Sequence, residues 1–95
     1  MIRKAKLDDV NSIALLEKNT FSDPLTEAFL ANEVKNNPFA NYFVAELDDK
    51  VIGYIGSWIT DNTEILNFCV DINYRNNGIG KELFTAVNNI HIGMI

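Results

Sequence analysis

The sequence predicts a mixed α/β (α+β) fold of order β-α-α-β-β-β-α, with a mostly antiparallel sheet and helices on both faces. Three strand-like runs, residues 42–47, 50–58 and 64–70, succeed one another across short turn-forming segments, the pattern of antiparallel hairpins. The middle run is apolar on both faces through Val51, Ile52, Tyr54 and Ile55, so its sheet needs cover above and below. Apolar residues at helical spacing lie on either side of the three runs.

Taken in order, residues 1–7 read as a short first strand. Asp8 and Asp9 stand as cap-like acids ahead of Val10, Ile13, Ala14 and Leu16, a helical stripe. Phe21-Ser22-Asp23-Pro24 interrupts that helix. Asp23 is expected to cap a second one, with Pro24 in the first position, where no amide hydrogen is needed. Leu25, Phe29, Leu30 and Val34 supply its apolar side, and Asn36-Asn37-Pro38 ends it. Tyr42 to Leu47 is a strand by composition. Asp48-Asp49 forms a tight turn into Lys50 to Trp58, and Thr60 to Thr63 turns the chain into Glu64 to Val70. After a loop, Ile79, Leu83, Phe84, Val87 and Ile90 mark one face of a last helix.

A length of 95 residues argues for one domain over residues 1–95, with a core of modest stability margin. The hydrophobic fraction of 47% and charged fraction of 22% are ordinary for a soluble globular chain. Eight basic against thirteen acidic residues give a net charge of -5, which disfavours nucleic acid as a partner. Cys69 is the single cysteine, so no internal disulfide forms. A reducing cytoplasm is the expected location. The basic start, Met1 to Lys6, is followed by no apolar run. No signal peptide or membrane span is expected.

The chemistry concentrates in Phe68-Cys69-Val70-Asp71-Ile72-Asn73-Tyr74-Arg75-Asn76-Asn77-Gly78-Ile79-Gly80-Lys81. A strand leads into a loop with glycines at 78 and 80, and an amphipathic helix follows at once. Glycine lets backbone turn sharply and approach a ligand without a Cβ in the way. The first amides of a helix lack helical partners and, with the helix dipole, attract a phosphate. Arg75 and Lys81 add positive charge to an otherwise acidic chain. The phosphate loop of nucleotide hydrolases does not fit: Glu82 follows Gly80-Lys81 where a hydroxyl is required, and Arg75 occupies the first glycine's place. The dinucleotide fingerprint fails at Leu83. The pattern Arg/Gln-x-x-Gly-x-Gly/Ala after a strand is matched in full by Arg75-Asn76-Asn77-Gly78-Ile79-Gly80.

On this motif the chain resembles the GNAT N-acetyltransferases, and within them the branch that acetylates the N-terminal alanine of a small-subunit ribosomal protein. Ile2-Arg3-x-Ala5, Asp8-Asp9, Leu16-Glu17, Phe21 and Ile65 to Val70 carry the likeness to that branch. The resemblance covers essentially the whole chain but only the N-terminal part of the GNAT fold. It implies acetyl-coenzyme A as co-substrate and a protein or peptide amine as acceptor. The amides of Asn76, Asn77, Gly78, Ile79, Gly80 and Lys81 would hold the pyrophosphate, and the backbone of Phe68, Cys69 and Val70 would pair with the pantetheine arm as an added strand does.

Acetyl transfer needs a base for the attacking amine, donors for the oxyanion and an acid for the leaving thiolate. A backbone amide near Val70 is the expected oxyanion donor. Glu64 is the candidate base, because some GNAT histone acetyltransferases carry theirs at a similar place; the competing reading is a solvated strand-end glutamate. The branch's catalytic Glu and Tyr lie beyond Ile95, so the resemblance implies a C-terminally truncated domain. The tail His91-Ile92-Gly93-Met94-Ile95 closes the chain with no further strand. Three readings follow: an acetyltransferase, a coenzyme-binding or interaction module without turnover, and a fragment of a longer enzyme. The strand 64–70 would then be a sheet edge, inviting a homodimer or a complementing chain. Cys69 reads as a buried thiol, His91 as no metal ligand, Tyr54 and Trp58 as packing, and Tyr74 as a residue beneath the loop.

Overall fold

A computed structural model describes residues 1–94; Ile95, the end of the tail noted above, lies outside the described residues. The elements are β1 (Ile2–Lys4), a 3-10 turn (Leu7–Asp9), α1 (Val10–Thr20), α2 (Glu27–Asn36), β2 (Ala40–Leu47), β3 (Lys50–Ile59), β4 (Thr63–Val70), a second 3-10 turn (Ile72–Tyr74) and α3 (Ile79–Met94). The four strands form one sheet in the order β1-β2-β3-β4, and every pairing is antiparallel. The expected element order and mixed α/β class are therefore observed.

Side-chain alternation divides the core between the two faces. Tyr42, Val44, Tyr54 and Cys69 pack under Val10, Ile13 and Leu16 of α1 and Leu30 of α2. Phe43, Ala45, Ile55 and Val70 point the other way and pack against Leu83 and Val87 of α3. Helices thus cover both faces, as the doubly apolar β3 requires. Leu30 and Leu83 are each wholly buried, and burial of such a side chain contributes about 2 kcal/mol relative to exposure.

The β2–β3 turn is as tight as expected: Asp48 and Asp49 have φ of 51° and 63°, the left-handed pair that a two-residue hairpin demands. Two irregularities re-aim the strands. Ala45 and Glu46 face Gly53 and Val51, leaving Ile52 as an extra residue of β3. Gly56 faces Asn67 while Ser57 faces Ile65, leaving Leu66 as a bulge in β4.

Two expectations need correction. The first strand is shorter than residues 1–7, because Asp9 draws the chain into a turn. Its Oδ2 accepts from the Lys6 amide at 2.7 Å, and the Arg3 guanidinium donates to both its oxygens at 2.8 and 2.9 Å. Asp9 serves Arg3 and Lys6 in this way and makes no side-chain cap to α1. The second helix begins at Glu27, and its cap is Thr26, whose Oγ1 accepts from the Phe29 amide at 3.1 Å. Asp23 and Pro24 lie in the connection before it. That connection is held from elsewhere, since the Leu25 amide donates to Glu17 Oε1 at 2.8 Å.

Two glutamates are buried between the sheet and the α1–α2 layer. Glu17 accepts from Leu25, from the Tyr54 hydroxyl and, with both oxygens, from Asn67 Nδ2 at 3.0 and 2.8 Å. Glu33 accepts from the Tyr42 hydroxyl at 2.9 Å, Trp58 Nε1 at 2.6 Å and Asn37 Nδ2 at 2.7 Å. Tyr42 and Tyr54 stack between them with centroids 6.2 Å apart. Tyr54 lies in the core and Trp58 is half-buried near the end of β3, and each donates to a carboxylate.

Candidate functional site

β4 ends at Val70 and the chain loops into α3. Asp71 Oδ1 accepts from the Asn73 amide at 2.9 Å, which starts the 3-10 turn. Arg75 Nε donates to the Val70 carbonyl at 2.9 Å, hooking the loop back onto the strand end. Asn77 Nδ2 reaches the carbonyls of Tyr74 at 3.2 Å and Arg75 at 3.4 Å. Asn76 and Gly78 adopt left-handed φ of 68° and 79°, the conformation the glycine was expected to supply. Tyr74 packs beneath the loop against the α3-side core, with Lys50 Nζ 5.7 Å from its ring centroid.

The first helical bond of α3 runs from the Glu82 amide to the Gly78 carbonyl at 3.1 Å. The amides of Ile79, Gly80 and Lys81 therefore precede any helical partner of their own. They lie at the positive end of a 16-residue helix. Gly80 is needed for space: a Cβ there would stand 2.8 Å from Phe68 Cζ. Phe68 in turn meets Phe84 edge to face, with centroids 4.9 Å apart.

Between the end of β4 and the start of α3 lies a pocket of about 310 Å³. Eight of the residues anticipated from sequence line it: Phe68, Cys69 and Val70 from the strand, and Arg75, Asn76, Gly78, Ile79 and Gly80 from the loop and helix. Asn77 and Lys81 do not line it. Asn77 braces the loop from within, and exposed Lys81 borders a shallow recess beside Ile2. Glu64 is exposed at the opposite end of β4, paired across from Trp58. It stands six positions before Val70, roughly 20 Å of extended strand.

Thr20 and Phe21, at the end of α1, complete the wall and were not anticipated. Phe21 reads in sequence as the residue that breaks a helix, and only the packing of α1 along β4 brings it to the pocket. Cys69 is buried, and burial pushes its thiol up to about 11, with a Thr20 hydrogen bond opposing. It is a neutral thiol. His91 Nδ1 lies 2.8 Å from Thr63 Oγ1, joining α3 to the start of β4.

The pocket is thus bordered by the first turn of α3, where the Ile79 and Gly80 amides precede any helical partner, and by the Arg75 side chain, in a chain of net charge -5. β3 is the sheet neighbour of β4 among the described residues, so its other edge can take an extended chain.

The sequence profile of the acetyltransferase (GNAT) family matches residues 7–90. A Bacillus subtilis (strain 168) protein, provisionally named a ribosomal protein bS18-alanine N-acetyltransferase, is 33% identical over 86 residues, covering 90% of this chain and 57% of that protein. The crystal structure of the Escherichia coli ribosomal-protein-S18-alanine N-acetyltransferase superposes with a TM-score of 0.84 at 17% identity, over 96% of this chain and 58% of that one. The PaiA N-acetyltransferase of Thermoplasma acidophilum, crystallised with coenzyme A, gives a TM-score of 0.82 at 21% identity over 99% of this chain and 72% of its own. The chain spans less than two thirds of the length of the B. subtilis relative. With the profile matching from the first 3-10 turn to α3, the chain belongs to the acetyltransferase (GNAT) family.

Proposed function

We propose that this chain binds acetyl-coenzyme A as co-substrate, and that its protein transfers the acetyl group to a protein N-terminus or another primary amine. One observation carries the reading: the end of β4, the Arg75–Gly80 loop and the first turn of α3 converge on a single pocket. The GNAT family generally uses acetyl-coenzyme A. The residues here suit such a ligand. Gly78 has its left-handed φ, and the space a Cβ would fill is open apart from its chain neighbours, so the loop would present bare backbone to a pyrophosphate. In this reading the amides of Asn76 to Lys81 bind that group, with Arg75 beside them. The pantetheine arm runs back along Phe68, Cys69 and Val70 toward the Leu66 bulge.

The transfer forms a C–N bond and breaks a C–S bond; the amine loses a proton and the thiolate gains one. Glu64 is the proposed base; roughly 20 Å of strand separates it from the amide near Val70 expected as oxyanion donor, so with Glu64 as base the donor has to be an amide of β4 nearer Glu64. The relatives named for alanine acetylation support a protein N-terminus as acceptor.

Coenzyme binding without turnover is the second reading. It is favoured by the pocket's wall, which among the described residues holds no carboxylate and no histidine, and whose ionisable groups are the neutral Cys69 thiol, Tyr74 and Arg75.

Calorimetric titration with acetyl-coenzyme A tests both readings. Saturable heat and a raised Tm are expected, with far weaker binding of pantetheine, which lacks the pyrophosphate. No heat and no thermal shift would sink them together. Release of free thiol with a basic peptide beginning in alanine separates turnover from binding, and its loss in E64Q would assign the base.

A further inference from the structure

We propose that Glu17 is a positioning residue for the pocket: its buried carboxylate fixes the bulged part of β4 and the Thr20–Phe21 wall relative to each other. The proposal rests on the coenzyme reading above for its ligand, and on geometry alone for its local structural claim.

Glu17 is fully buried, and all its hydrogen-bond donors are neutral. A carboxylate taken out of water without a cation is costly, and an apolar side chain of like size satisfies a core more cheaply. The position of its donors accounts for its presence. The Leu25 amide belongs to the α1–α2 connection, the Tyr54 hydroxyl to β3 and the Asn67 amide to β4. One carboxylate thus ties three separate segments to α1.

Two of those ties flank the pocket. Asn67 stands directly after Leu66, the extra residue of the bulge, and directly before Phe68, a pocket wall. A bulge disrupts the ladder locally, so its strand needs another anchor to hold one course. The pair of hydrogen bonds that Asn67 Nδ2 donates to both Glu17 oxygens supplies it. On the other side, the Phe21 amide donates to the Glu17 carbonyl at 2.8 Å and Leu25 to its side chain. Glu17 therefore closes the segment carrying Phe21 from both ends.

Glu33 provides an internal comparison. It is equally a buried carboxylate with three neutral donors, but Tyr42, Trp58 and Asn37 lie away from the pocket. Loss of stability alone should therefore affect E17Q and E33Q alike, whereas loss of positioning should affect only E17Q.

The experiment compares wild type, E17Q, N67A and E33Q by urea unfolding, amide hydrogen exchange and acetyl-coenzyme A titration. N67A removes the β4 tie while leaving Glu17 its Leu25 and Tyr54 donors, so it answers the question even where E17Q does not fold. We expect E17Q and N67A to speed exchange over residues 65–70 beyond the change elsewhere, and to raise Kd roughly tenfold, as the loss of charged hydrogen bonds implies. E33Q is expected to keep its Kd within about twofold of wild type at a similar stability loss. Equal Kd changes in E17Q and E33Q, or unchanged exchange over 65–70 in N67A, would overturn the proposal. If wild type takes up no coenzyme, the ligand reading fails and the exchange pattern alone decides whether Glu17 holds β4.

Discussion

Gly80 and Phe68 share one space: a Cβ on Gly80 would stand 2.8 Å from Phe68 Cζ and 3.3 Å from Cε1. Gly80→Ala must push the Phe68 ring, which is already held edge to face by Phe84. Overpacking of this kind costs about 1–3 kcal/mol. Gly78 offers a control two residues away. A Cβ there meets nothing within 4 Å, so Gly78→Ala costs only the left-handed backbone, about 1 kcal/mol. Urea unfolding should rank G80A below G78A. Near-ultraviolet circular dichroism should change for G80A alone, because only that variant moves an aromatic ring.

What the sequence made legible follows from local physics. The strand composition of β2, the two-faced apolar run of β3, the Asp48-Asp49 turn and the apolar stripe from Ile79 to Ile90 are decided by neighbours a few residues apart, and each element forms as expected. The pocket loop was legible because its glycines, its arginine and its helix start are contiguous. Glu17 and Glu33 were not legible. Their donors include Tyr54 and Asn67, 37 and 50 residues from Glu17, and Trp58, 25 from Glu33. No local rule separates such a residue from a solvated helix glutamate. The Thr26 cap was missed for a related reason. Asp23-Pro24 is the stronger local signal, and the tie from Leu25 to Glu17 keeps the chain out of helix there.

Arg3 and Asp9 set an acid limit on stability. The Arg3 hydrogen bonds hold the Asp9 carboxyl below its ordinary value of 3.8, against the opposing effect of burial. A folded-state value below the unfolded one means that the contribution is whole above about pH 4 and is lost as pH falls through the folded value. Replacement of Arg3 by methionine leaves a nearly buried carboxylate without its cation, at a cost of about 2 kcal/mol near neutrality. The gap between wild type and R3M, measured by urea unfolding from pH 7 downward, should narrow below pH 4. A gap that stays constant through that range would show that the ion pair is not its source.

Cys69 should behave as a protected thiol although its residue lines the pocket. Burial raises it from the ordinary 9.0 to about 11, so thiolate is scarce at neutral pH. Alkylation of the native chain by iodoacetamide should be slow at pH 8 and keep rising with pH toward 11. The urea-unfolded chain should show a midpoint near 9. A native midpoint near 9 would mean that the thiol is open to solvent. Acetyl-coenzyme A seated beside Phe68 to Val70 should slow the native reaction further, a binding readout independent of heat.

The outer edge of β4, unpaired among the described residues, predicts self-association of this 95-residue chain. β4 carries Ile65, which is 39% exposed, and its only charged residue is Glu64. Natural edges are protected by charge, proline or cover, and this one is nearly uncharged. A second copy laid antiparallel against it would complete the backbone pairing and shield Ile65. Sedimentation velocity over a concentration series should show a reversible dimer. Ile65→Lys places a charge on the edge at an already exposed position and should return the chain to a monomer with little loss of stability, within about 0.5 kcal/mol. The same edge is proposed to receive the pantetheine arm, so acetyl-coenzyme A should compete with the dimer. A dimer that persists in I65K and in saturating coenzyme would place the interface elsewhere on the molecule.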